Sequence, residues 1–117
     1  MLRVPLILIS IALSHTMIVT DIEGACYPIK EQVACYRTAT DEIFISDKLG
    51  QWKKLMALYH EMGHRLMKFL DTQTYKEIFG DGEITVLKER AAEDFNLWAI
   101  GRKIPKKETE FFNKLVL

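Results

Sequence analysis

Excess charge of one sign, long apolar runs and histidine are all scarce in this sequence, and each scarcity removes a class of protein. The 16 basic residues are balanced by 16 acidic ones. The overall charge therefore offers no electrostatic capture of nucleic acid or anionic lipid. No internal repeat and no low-complexity tract is present. No apolar run reaches the roughly 20 residues of a confident membrane span. What remains is a chain of 117 residues, 49% hydrophobic and 27% charged, enough for one small domain with one core.

The N-terminal stretch differs from the rest. Arg3 is followed by an apolar run from Val4 to Leu13, which suits the h-region of a secretory signal. Ala12 and Ser14 stand where small residues precede a cleavage site. Reading on to Val19, across His15, gives an uncleaved anchor instead. A buried N-terminal strand or helix of a cytosolic domain is the remaining reading. The expected division is residues 1–20 as signal peptide or membrane anchor and residues 21–117 as the folded domain. That makes the protein secreted, periplasmic or membrane-anchored, with a cytoplasmic location as the alternative. The two cysteines, Cys26 and Cys35, fit export. "CYPIKEQVAC" reads as two short strands around a polar turn at Lys30–Gln32, which would set the cysteines within bridging distance.

Further on, "DEIFISD" has strand content, with Ile43 and Ile45 on one face. Asp47 can cap a following helix, about Leu49 to Leu70. At 100° per residue its broad apolar side carries Leu55, Tyr59, Met62 and Leu66, with His60 and His64 at its edge in line with Lys53 and Asp71. "FGDGE" is a turn cluster. A second helix, Ile84 to Ile100, ends at Gly101; Leu87, Ala91, Ala92, Phe95 and Trp98 form its apolar side, and Glu89 and Glu93 lie on the other. The chain restarts as a short helix at Pro105, docked by Phe111, Phe112, Leu115 and Val116. The basic "RKIPKK" reads as a solvated loop.

Within the first helix, "HEMGH" places His60 and His64 at i and i+4, so their imidazoles point the same way. Such a pair can hold one Zn²⁺ at about 2.0–2.1 Å per nitrogen. Glu61, rotated by about 100°, stands beside the ion rather than on it. Zinc lowers the pKa of bound water toward about 7, and Glu61 can take that proton and pass it to the leaving amine. A catalytic zinc needs a third protein ligand and an open fourth position. The only other histidine, His15, lies in the leader, so the third ligand is a carboxylate or, less readily, a cysteine. Asp71, seven residues past His64 on a continuous helix, would sit about 10 Å away along the axis, and no glycine or proline between 65 and 71 breaks the helix. Glu89 and Glu93, on a helix that can cross the first, are the better candidates.

"DEIFISDKLGQWKKLMALYHEMGH" followed by "ERAAEDF" resembles the ImmA/IrrE-type metallopeptidases, small zincins of the gluzincin kind. The matching positions are His60, Glu61, Gly63 and His64, then Glu89, Ala92 and Phe95. The resemblance implies that Glu89 is the third ligand and that Glu93, four residues on, is a partner for a histidine N–H. The family's usual Asn after the alanine is Glu93 here, and the DNA-binding module that family members often carry has no counterpart. The expected fold is α+β: a small antiparallel sheet packed on the His60/His64 helix, with a second helix bearing Glu89. The expected activity is zinc-dependent hydrolysis of a peptide or protein substrate, with Glu61 catalytic and His60, His64 and Glu89 on the metal. No nucleic-acid partner is expected, and membrane association would run through the N-terminal segment. The "IFIS" strand is expected to form the cleft edge for an extended substrate, with Tyr59 and Tyr75 as either oxyanion donors or packing residues. The rival is a non-catalytic, zinc-stabilised binding or accessory protein.

Overall fold

The computed structural model describes residues 3–27 and 33–116. In chain order the elements are α1 (Leu6–Ser14), β1 (Thr16–Val19), α2 (Ile22–Ala25), β2 (Ala34–Arg37), β3 (Glu42–Ser46), α3 (Gln51–Met67), α4 (Thr72–Phe79), α5 (Ile84–Ala99) and α6 (Lys106–Val116). The class is α+β, as expected, but the sheet is mixed rather than antiparallel. Its order is β1-β3-β2. β1 runs parallel to β3, with Ile18 opposite Ile45, and β2 runs antiparallel to it, with Cys35 opposite Phe44. The residues read as a leader thus supply α1 and an edge strand. No helix among the described residues is long and apolar enough to cross a membrane.

The central position of β3 explains its unbroken "IFIS" run, because a strand covered on both faces needs no polar alternation. Ile43 and Ile45 enter the main core with Leu58, Tyr59, Met62 and Phe95. On the opposite face Phe44 packs with Cys26 and Cys35 in a small second core. The two cysteines are disulfide-bonded, with Cα atoms 5.8 Å apart. The expected hairpin does not frame them: Cys26 follows the short helix α2 and Cys35 sits on β2. The turn expected at Lys30–Gln32 lies outside the described residues.

α3 is shorter than its periodicity suggests. It stops at Met67 without glycine or proline, and the Met67 carbonyl there accepts from Tyr75 Oη at 2.9 Å and from the Leu70 amide at 3.0 Å. Asp71 then caps a new helix, its carboxylate accepting from the Thr74 amide at 2.8 Å. α5 starts where Glu83 accepts from the Thr85 and Val86 amides. It ends before Gly101, whose φ of 89° favours glycine. α6 closes the core: Phe112 meets Phe95 at 5.4 Å and Trp98 at 5.8 Å between ring centroids.

α3 and α5 cross closely because Gly63 faces Ala92. A Cβ at position 63 would lie 3.0 Å from the Ala92 Cα and 3.1 Å from the Phe95 Cβ. This close approach brings the polar edges of the two helices within side-chain reach.

Candidate metal centre

His60 and His64 stand one turn apart on α3, ring centroids 5.1 Å apart and planes at 73°. α5 runs antiparallel to α3, so Glu93 meets His60 and Glu89 meets both rings. Glu89 Oε2 lies 3.0 Å from His60 Nε2 and Oε1 lies 3.1 Å from His64 Nε2. The other His60 nitrogen, Nδ1, donates to Glu93 Oε1 at 3.0 Å. The sequence left Glu89 and Glu93 level on geometry alone. The structure separates them: one carboxylate bridges the two inward-facing nitrogens, and the other holds the outward one.

One ligand atom each from His60, His64 and Glu89 lies within 4.8 Å of the others. A tetrahedral ion with bonds of about 2.0–2.1 Å separates its donors by about 3.4 Å, so the group can close on a metal with small side-chain movements. The donor chemistry fits as well. Two imidazoles and one carboxylate make a three-ligand set of the kind that leaves a fourth position open. Asp71 is not part of this group, being committed to the α4 cap.

Without an ion, the charges compensate one another. Burial would push the His60 imidazole down, but the Glu89 hydrogen bond, the nearby Glu61 charge and the Glu93 bond outweigh it and raise the pKa to about 9. The hydrogen bonds from His60 and His64 hold the Glu89 carboxyl well below the usual carboxylate range. Glu61 is 6% exposed. Burial pushes its carboxyl up against the pull of the two histidines. Burial is what raises the basicity of this carboxylate, which lies beside the ligand group and outside it.

These groups line an open cleft of about 790 Å³ between β2, α3 and α5. The strand expected at the cleft edge was β3, but β3 is paired on both sides and cannot take another strand. β2 is the edge strand, and Ala34, Cys35 and Tyr36 line the cleft. Neither candidate tyrosine is presented to the metal group as a donor, and the Tyr59 hydroxyl has no hydrogen-bond partner among the described residues. Tyr59 is wholly buried in the core, and the Tyr75 hydroxyl is bound to Met67.

The polar residues Tyr36, Thr38, Lys68, Lys88 and Asn96 also line the cleft, and no sequence motif marks them. Tyr36 and Lys68 belong to a network around Asp41, which accepts from Tyr36 Oη at 2.7 Å and from Arg65 Nε at 2.9 Å. Asp41 adopts φ 52°, a conformation that Asp tolerates better than most residues. Lys68, four residues past His64, was legible from helical spacing; Tyr36 reaches the cleft only through strand pairing. The chain matches no family model, no curated protein and no solved structure at a significant level.

Proposed function

We propose that this protein is a zinc-dependent metallopeptidase of the gluzincin kind, as the resemblance to the ImmA/IrrE-type peptidases implies. The observation that carries the reading is the convergence of His60, His64 and Glu89 beside a buried Glu61 at the wall of an open cleft. His60, His64 and Glu89 would hold the ion, and Glu93 would fix the orientation of His60 through Nδ1. A bound Zn²⁺ supplies Lewis-acid activation of water and of the scissile carbonyl. Glu61 would take the proton of the attacking water and return it to the leaving amine. Among the described residues β2 pairs only with β3, and an extended peptide pairing with its outer side would lie with its scissile bond near the metal group. The Cys26–Cys35 bond favours work in an oxidising compartment.

The test is cleavage of an unbiased peptide library by the purified chain, with and without a chelator, beside Glu61→Gln. The expected result is chelator-sensitive cleavage that Glu61→Gln lowers by at least about a hundredfold, with zinc retained. Zinc retention in a wild-type chain that cleaves nothing would favour the non-catalytic, zinc-stabilised protein instead.

A further inference from the structure

A second concavity, of about 360 Å³, lies away from the metal group and is lined by Arg3, Gly101, Arg102, Lys103, Ile104, Lys106 and Thr109. Four of these seven residues are cationic and none is acidic. In a chain with as many acids as bases, that is segregation rather than composition. Arg102 and Lys103 come from the loop after α5 and Lys106 from the first turn of α6, but Arg3 comes from the other end of the sequence. Its amide donates to the Ala99 carbonyl at 3.0 Å, and its guanidinium lies 5.8 Å from the centre of the Trp98 ring. Among the described residues Arg3, Arg102 and Lys103 form no ion pair; Lys106 has only a loose, exposed one to Glu110 at 3.9 Å.

The neighbouring element is as unusual. α1, "LILISIALS", carries no charge on any side, and it leaves Leu6 81% and Ile7 67% exposed, with Leu13 and Ile11 also open. Leu6 is three residues from Arg3, hence no more than about 11 Å along the chain. Water is a poor solvent for such a helix, and the cations beside it are poorly matched to an apolar protein partner. An anionic bilayer satisfies both: acyl chains for Leu6 and Ile7, lipid phosphates for the arginines and lysines. At nine residues, or about 13.5 Å, α1 is too short to span and would lie in the plane of the interface.

We infer that α1 and the Arg3/Arg102/Lys103/Lys106 concavity form one docking surface for an anionic lipid bilayer, the concavity taking a lipid phosphate. This surface is independent of the peptidase reading. Folding gathers in one place cations that the zero net charge of the sequence conceals.

The experiment is co-sedimentation of the full chain, its mass confirmed to include Arg3, with vesicles of phosphatidylcholine alone or mixed with phosphatidylglycerol, at low and high salt. Binding is expected to the mixed vesicles only and to weaken with salt. Each cation near an anionic surface contributes roughly a fivefold change in partitioning, so Arg102→Glu with Lys103→Glu should lower binding at least twentyfold. Leu6→Ser with Ile7→Ser should also abolish it, while both variants keep the far-ultraviolet circular dichroism and zinc content of the parent. Equal binding to neutral vesicles, or unchanged binding in either variant, would overturn the proposal. So would calorimetric binding of inorganic phosphate without vesicle binding, a dimer in sedimentation that leaves no lipid binding, or recovery from cells of a mature chain lacking Arg3.

Discussion

At Glu89 one carboxylate serves two imidazoles, and at Glu93 another serves the far nitrogen of the first. The two should therefore respond differently to removal. Losing a ligand removes a bond to the metal, whereas losing an orienting partner typically costs about 10- to 100-fold in affinity. Glu89→Ala should fail to load at micromolar zinc, and Glu93→Ala should load with weakened affinity. A zinc titration of both reads this out, and the reverse order would exchange their roles. Glu108 makes a separate prediction, because it is only 1% exposed. Burial, then the hydrogen bond and charge of Asp94, push its carboxyl up to about 8, with Arg90 opposing at 3.3 Å. The folded chain keeps this proton up to about pH 8, while the unfolded chain releases it in the ordinary carboxyl range. Stability therefore falls as pH rises across that window. Glu108→Gln preserves a neutral group there and should stabilise the protein by about 1–3 kcal/mol at pH 8, with little change at pH 4. Urea midpoints at the two pH values check it.

At the scale of elements, the site exists because α3 and α5 approach at Gly63. Gly63→Val would push branched methyls against the Ala92 backbone, where even a Cβ has 3.0 Å. The expected cost is about 1–3 kcal/mol together with weaker zinc binding, since the carboxylates move off with α5. Thermal unfolding alongside zinc affinity checks it; a variant as stable and as tight as the parent would place the crossing elsewhere. The helices that carry the site were legible because His60, Glu61 and Gly63 fall inside a long amphipathic period, and because Glu89 and Glu93 share the face opposite Leu87 and Phe95. The break after Met67 was not, since no glycine or proline marks it and the Asp71 cap that starts α4 reads equally well as a residue on a continuing helix. β1 was hidden for a related reason. "TMIV" continues an apolar run and shows no alternation, so only its pairing with β3 reveals a strand. That pairing also turns the sheet from antiparallel to mixed and moves the free edge on the cleft from β3 to β2.

Taken whole, the chain is held by one main core and a small second core pinned by Cys26–Cys35. Closing a loop across a sequence separation of 9 is worth about 2.5 kcal/mol in the chain-entropy account. Cys26→Ser with Cys35→Ser should lower stability by about that amount, read from urea unfolding. Protein recovered from an oxidising compartment should yield the linked peptides in a non-reduced digest. Two free thiols there would remove the argument for export.

The account as a whole depends on one metal held between the two crossing helices, and metal content measured by plasma mass spectrometry tests that most directly. The chain purified with zinc present and then desalted should carry about one equivalent, as should Glu61→Gln. His64→Ala should carry almost none. Full loading of His64→Ala, or a wild-type chain that leaves the column without metal, would contradict the assignment of His60, His64 and Glu89 as the site.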